Sequence, residues 1–438
     1  MIELLPLILF VAIFGLILFG YPVAFTLGGL SVVVGLLVFD VDFFYLLSLR
    51  VYGTMQNFVL LAVPLFVFMG MMLERSGIAE KLLETMAMIF GRFKGGLAIS
   101  VILVGGMLAA STGIVGATVV TMGLISLPTM LKRGYSPVIS TGVIASSGTL
   151  GQIIPPSVVL VLLGSVLNVS VGDLFKAAII PGIGLVGCYL IYTIIYANIF
   201  PDRAPAMPIK EREAFKAAGF SMDVLKSFVF PFLLILCVLG SIFAGIASPT
   251  EAAGVGAFGA ILLTLVNGKL TFDILKSVSR ETTLITSMVF MILVGATAFS
   301  LVFRGLEGDK FLLSAISGAN LGSYAFLFAV MALVFIAGFF IDFIEIIFII
   351  VPVVAPIFVV MGIDLIWLGI LLAVNLQTSF LTPPFGFALF YLKGVAPPEV
   401  KTADIYRGVV PFVLIQIIFL ISLIMFPEII SFLPELLK

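Results

Sequence analysis

Two segments rich in hydroxyl groups interrupt long apolar runs of this sequence, and each contains a proline pair. The first covers residues 146–157 and includes Pro155-Pro156, and the second covers 375–386 and includes Pro383-Pro384. Two consecutive prolines remove two N–H donors and clash with the preceding turn, so a helix must unwind there. The freed carbonyls and nearby hydroxyls are the oxygen ligands that a small hard cation prefers. The exposed helix N-termini favour a carboxylate.

Two other apolar runs have a polar segment near the middle. Residues 110–113 lie inside the run 97–131, and residues 338–345 lie inside the run 322–361. The second segment holds Asp342 and Glu345, the only carboxylates of its run. Because a carboxylate at membrane depth is costly, we treat both residues as functional candidates.

Together these four segments predict one site for a cation and a carboxylate. The candidate cation ligands are Ser111, Thr112, Gly113, Gly148, Gly151, Gly338, Asp342, Thr378 and Thr382. The candidate substrate contacts are Ser111, Gln152, Ser157, Glu345 and Ser379. A structural explanation stays open for each: Asp342 caps a helix, small residues allow close packing, and hydroxyls satisfy unwound backbone.

The composition requires that these segments lie in a membrane protein. Of 438 residues, 62% are apolar and 10% are charged, against about 25% charged residues in soluble domains.

Histidine is absent, which excludes histidine proton relays, catalytic triads and His-ligated metals. The net charge of −1 argues against nucleic acid. Two cysteines within apolar runs support neither a disulfide framework nor a metal site.

Successive apolar runs predict an all-α, multi-pass fold. The run 97–131 is too short for two crossings and too long for one, and basic residues flank both of its ends. The positive-inside rule therefore makes it a re-entrant hairpin, and 322–361 is similar. This topology places 17 basic residues inside and five outside.

A shift of 228 residues aligns the two halves of the chain. It superimposes Pro155-Pro156 on Pro383-Pro384 and Gly28 on Gly256. We predict two repeats of inverted topology, 1–200 and 227–438, joined by a cytoplasmic linker, 201–226. Each has a hairpin (about 97–131 and 322–361) and a broken helix (about 138–168 and 364–393). Inverted repeats are typical of secondary transporters.

Five motifs in this order resemble the large membrane subunit of tripartite ATP-independent periplasmic (TRAP) transporters, in the ion-transporter superfamily. They are Ser111-Thr112-Gly113-x-x-Gly116-Ala117-Thr118, Gly151-Gln152-Ile153-Ile154-Pro155-Pro156-Ser157, Ser248-Pro249-Thr250-Glu251-Ala252-Ala253, Gly338-x-x-x-Asp342 and Thr382-Pro383-Pro384-Phe385-Gly386. The resemblance covers nearly the whole chain.

This resemblance implies sodium-coupled import of an organic acid through a bacterial inner membrane. It also implies a scaffold and a transport domain that move as an elevator, with no cofactor beyond sodium ions. The expected partners are a small membrane subunit of four helices and a periplasmic substrate-binding protein.

Other functions remain open at this level. A stand-alone sodium/anion symporter of the same superfamily would differ mainly in needing no binding protein. A channel would show a continuous polar pore, and an enzyme would need a catalytic pair that this sequence lacks. Glu251, which follows Pro249, is expected to stabilise a helix N-terminus.

Overall fold

The computed structural model describes residues 4–113, 115–208, 229–318 and 322–436, except the side chains of Ser111, Thr112, Ile316 and Ser317. Most of the linker 201–226 lies outside these ranges. The described residues form α-helices and short 3-10 turns, with no β-strand among them, which confirms the all-α class. In the first half the helices are α1 Leu5–Leu18, α2 Val23–Val38, α3 Tyr45–Met55, α4 Ala62–Arg75, α5 Ile78–Phe90, α6 Gly96–Thr112, α7 Val115–Lys132, α8 Pro137–Thr149, α9 Val158–Leu167 and α10 Val171–Ile199.

The described residues of the second half form eleven further helices. Its helices are α11 Phe230–Phe243, α12 Pro249–Val266, α13 Phe272–Gly305, α14 Gly308–Gly318, α15 Ser323–Ala337, α16 Phe343–Ile349, α17 Val351–Val360, α18 Leu365–Leu381, α19 Phe387–Val395, α20 Thr402–Met425 and α21 Glu428–Leu436. By length and composition, six helices of the described ranges are suited to cross a membrane, or seven if the bent pair α16–α17 is one span. The protein is a multi-pass membrane protein.

One group contains helices from both halves. Helix α2 packs on α13, and α12 packs on α4. Glycines allow both approaches: a Cβ on Gly28 would lie 3.5 Å from the Cα of Gly295, and one on Gly256 would lie 2.6 Å from the sulfur of Met69. Helices α3 and α11 also pack in this group, on α13 and α12. The inverted orientation of the halves across a membrane stays a prediction.

A second group contains the hairpins and the broken helices. Helices α6 and α7 pack against α8, and α8 packs against α20. In the second hairpin, the ring centroids of Phe326 on α15 and Phe358 on α17 lie 4.8 Å apart.

Helices α5 and α14 precede the two hairpins. The buried residues of α5 follow a helical spacing along one face, as expected of an amphipathic arm.

Two features differ from the apolar runs of the sequence. Helix α13 begins at Phe272, well before the apolar run 283–303, because the Thr271 side chain accepts a hydrogen bond from the N–H of Ile274 and caps the helix there. The returning arm of the second hairpin bends by 50° between α16 and α17. Pro352, in the first turn of α17, explains this bend because its ring cannot continue the preceding helix.

Candidate functional site

The first proline pair lies in a buried break between α8 and α9. Helix α8 ends at Thr149, a 3-10 turn covers Leu150–Gln152, and Ser157 precedes α9. The Pro155-Pro156 peptide bond is cis. The Ser157 hydroxyl donates a hydrogen bond of 2.9 Å to the carbonyl of Gln152. Ser157 therefore satisfies backbone within the break, and the unwinding expected from the prolines is present.

The first hairpin turns at Gly113 and packs on this break. Gly113 has a φ of 62°, a left-handed conformation that favours glycine, and a Cβ there would lie 2.8 Å from a methyl of Val158. A Cβ on Gly148 would overlap Val119, and one on Gly151 would overlap the carbonyl oxygen of Ala109. These three glycines thus allow close packing of the hairpin on the break. The side chains of Ser111 and Thr112 lie outside the described part of the chain.

The second proline pair lies between α18 and α19, and its Pro383-Pro384 bond is also cis. Unlike the first break, it is partly open: Pro384 and Phe385 are exposed. On the α18 side, Thr378 donates to the carbonyl of Val374 at 2.8 Å, and Thr382 donates to that of Thr378 at 2.7 Å. Each hydroxyl satisfies a carbonyl of its own chain. Because a donating hydroxyl keeps its oxygen lone pairs, it remains able to bind a cation.

The tip of the second hairpin places Asp342 and Glu345 at the start of α16. Asp342 Oδ1 accepts a hydrogen bond of 2.7 Å from the N–H of Phe343, and Glu345 Oε2 accepts one of 3.1 Å from the N–H of Asp342. The two residues form a capping box. Both are partly accessible. The capping role left open by the sequence is therefore present, and it leaves other carboxylate lone pairs free for a ligand.

Glu251 forms an equivalent capping box at α12. Its carboxylate accepts a hydrogen bond of 2.8 Å from the N–H of Ser248, and its own N–H donates to the Ser248 hydroxyl at 3.3 Å. Glu251 is exposed and far along the chain from both breaks. The structural role expected for this residue is confirmed.

Two separate clusters result from these contacts, and they adjoin. The first contains Gly113, Gly148, Gly151, Gln152 and Ser157. The second contains the tip of the second hairpin and the second break. The turn Leu150–Gln152 of the first cluster contacts α18 of the second. Tyr391 on α19 makes another link. Its ring packs on Gly116 at the tip of the first hairpin and lies within electrostatic range of Asp342 at the tip of the second.

Buried amides reveal a feature that sequence reasoning only partly found. The side chains of Gln152 and Gln377 are fully buried, and the Gln152 amide has no hydrogen-bond partner among the described residues. Gln152 is a predicted substrate contact, whereas Gln377 was missed although it lies in the second break. Tyr189 and Gln416 were also missed: the Gln416 amide donates to the Tyr189 hydroxyl, close to Gln377. Gln416 is the one amide side chain in the apolar sequence of α20, and this is the signal by which the sequence could have identified it.

Comparison with known sequences gives a consistent family. Residues 10–429 match the sequence model of "Tripartite ATP-independent periplasmic transporter, DctM component". The C4-dicarboxylate TRAP transporter large permease protein DctM of Pseudomonas aeruginosa is 32% identical over 93% of this chain and 93% of its own length. The ectoine TRAP transporter large permease protein TeaC of Halomonas elongata is 29% identical, over 96% of this chain and 97% of its own.

The fold also resembles a solved structure, that of the Alcanivorax borkumensis YdaH transporter. The two structures align with a TM-score of 0.63 over 97% of this chain and 99% of the other, at 16% sequence identity. At that identity the similarity concerns the fold.

Proposed function

Because this chain belongs to the DctM component family of tripartite ATP-independent periplasmic transporters, we propose that it imports an organic acid driven by a sodium gradient. Members of this family are transport subunits, so the chain is a membrane transport protein and not an enzyme. We place it in the inner membrane of a bacterium. Its substrate would be a carboxylate, such as a C4-dicarboxylate, the substrate named for one relative, or a sugar acid.

One observation carries the proposal: in each half, a hairpin tip packs on a broken helix whose hydroxyls donate to their own carbonyls. Their remaining lone pairs, the carbonyls of the breaks and the Asp342 carboxylate are hard oxygen ligands suited to sodium. Thr378, Thr382 and Asp342 would hold the ion. The unpaired amide of Gln152 would hydrogen-bond the substrate, because buried polar groups normally have partners.

The two helix groups suggest how the site would move. The scaffold would be the group built on α2, α4, α12 and α13, and the carrier would be the group with the hairpins and breaks. In an elevator mechanism the second group slides along the first with ion and substrate enclosed. A small membrane subunit of four helices would extend the scaffold, and a periplasmic binding protein would deliver the substrate.

Uptake into proteoliposomes tests the proposal. The chain, reconstituted with its small subunit, is supplied with radiolabelled succinate and other organic acids, with or without an inward sodium gradient and the binding protein. We expect uptake only with both. Uptake that needs sodium but not the binding protein would favour a stand-alone symporter of the same superfamily. Uptake that is independent of both would contradict the proposal.

A further inference from the structure

A cavity of about 420 Å³ lies between the two helix groups, and no residue of either break lines it. Helix α3 contributes Arg50 and Thr54, and α13 contributes Ser300 and Arg304. In each pair the residues are four apart, so they lie on the same face of their helix. Ser165 and Asn168, at the end of α9, complete the polar wall. The volume falls within the range of small-molecule sites, about 300–1,000 Å³.

The charge in this cavity is positive. Burial, and then the neighbouring guanidinium of Arg304, lower the pKa of Arg50 from its ordinary value. Arg50 has no carboxylate within salt-bridge distance in the described ranges, and the only acidic partner of Arg304 there is Asp309, with Nε and Oδ2 separated by 3.8 Å. One carboxylate beside Arg304 and none beside Arg50 in the described ranges leave positive charge uncompensated. A planar guanidinium binds a carboxylate through two parallel hydrogen bonds.

The cavity also lies where the proposed movement would change its shape. Helices α3 and α13 belong to the first group, whereas α9 and Phe348 of the second hairpin belong to the second. Beside the cavity, the Asn57 amide donates a hydrogen bond of 3.0 Å to the Ser165 hydroxyl and so connects the two groups. Movement of the second group would break this bond and separate the polar wall from the arginines.

We infer that this cavity is an anion-binding antechamber on the external side, where Arg50 and Arg304 hold an organic carboxylate before it reaches the hairpin tips. Its place on the import path rests on the proposed function. The binding of a carboxylate between the two arginines does not rest on the proposed function, because it follows from the cavity and its charge alone.

Chemical modification of a cysteine inside the cavity, in which a methanethiosulfonate forms a mixed disulfide and releases methanesulfinate, tests the inference without transport. Thr54→Cys is introduced into a chain carrying Cys188→Ala and Cys237→Ala, which leaves one thiol. Its rate of reaction is measured with an anionic methanethiosulfonate (ethylsulfonate) and a cationic one (ethyltrimethylammonium), with and without millimolar succinate. We expect Arg50→Gln and Arg304→Gln each to lower the anionic-to-cationic rate ratio by roughly 3- to 10-fold. We also expect succinate to slow the modification of this cysteine only while both arginines are present.

Matched variants separate charge from misfolding. Arg50→Lys and Arg304→Lys keep the charge and should keep most of the rate ratio. Lys310→Gln removes a basic residue whose side chain is 75% exposed and paired with Glu307, so it should leave the ratio unchanged. A rate ratio insensitive to both arginines, or modification of the cysteine that succinate never slows, would overturn the inference.

Uptake assays distinguish this inference from the proposed function. If both hold, the arginine-to-glutamine variants raise the KM for succinate several-fold and change kcat little. If uptake proves independent of sodium and of the binding protein while succinate still protects the thiol, the proposed function fails and the anion site stands. If uptake is normal but succinate does not protect the thiol of Thr54→Cys, the proposed function stays in place and the antechamber is excluded.

Discussion

Gly338 at the tip of the second hairpin lies so close to Ser379 on α18 that a Cβ atom on Gly338 would overlap the Ser379 hydroxyl and lie 2.8 Å from the Ser379 Cβ. The 228-residue shift places Ser379 on Gly151 and Gly338 on Ala110. In the first half, Gly151 has the same lack of room against the backbone of Ala109. Each hairpin therefore meets its broken helix at a glycine that leaves no room for a Cβ atom. The glycine is on the broken helix in the first half and on the hairpin in the second.

Gly338→Ala should therefore disturb this contact. Overpacking of this kind costs about 1–3 kcal/mol, so we expect a lower melting temperature and reduced uptake. The double variant Gly338→Ala/Ser379→Gly, which moves the glycine to the broken helix as in the first half, should recover part of both. Gly240→Ala is the control because nothing lies within 4 Å of a Cβ there. A double variant as impaired as Gly338→Ala alone would argue against this contact.

Asp342→Asn separates ion binding from helix capping. Asparagine caps helices about as well as aspartate, so the variant keeps the start of α16 and loses only the charge. We expect the sodium concentration for half-maximal uptake to rise about tenfold or more, as loss of roughly 1.4 kcal/mol of binding would produce. Glu251→Gln alters the same type of capping box on α12 and should leave sodium dependence unchanged. Equal effects of the two substitutions would limit Asp342 to a structural role.

The hydrogen bond between Gln416 and Tyr189 predicts a non-additive effect on stability. Tyr189→Phe leaves the buried Gln416 amide without its acceptor, which should cost about 1–3 kcal/mol. Gln416→Leu removes the amide that donates to the Tyr189 hydroxyl and should cost a similar amount. The double variant should be much less destabilised than the sum, since neither polar group then remains. Thermal unfolding of the purified variants in detergent measures this coupling, and simple additivity would show that the two residues act independently.

Linking Asn57 to Ser165 tests movement between the two helix groups. In a chain without its native cysteines, Asn57→Cys and Ser165→Cys are joined by a short bifunctional thiol reagent. If the groups slide as proposed, the cross-link should abolish uptake, and reduction should restore it. The matched control joins Arg75→Cys to Glu281→Cys, which replace a 2.9 Å ion pair within the first group and should not affect uptake. Full uptake with Asn57 and Ser165 cross-linked would exclude the elevator.

Local chemistry determined much of this protein from sequence alone. Proline pairs unwind a helix whatever surrounds them, so both breaks lie where the sequence places them. Gly113 supplies the left-handed turn that the first hairpin needs. The Ser248-Pro249-Thr250-Glu251 segment carries its own capping residues and starts α12 as expected. In each case the cause lies within a few residues of its effect.

Only the tertiary structure decided which distant side chains meet. Arg50 and Arg304 are separated by 254 residues in sequence and share a cavity because α3 packs on α13. Tyr189, Gln377 and Gln416 come from three helices, α10, α18 and α20, and no local pattern connects them. The roles of Asp342 and the threonine hydroxyls likewise depended on their partners, because an oxygen atom suits a helix cap or an ion equally well. Packing between helices selects these neighbours, and no local pattern in the sequence encodes it.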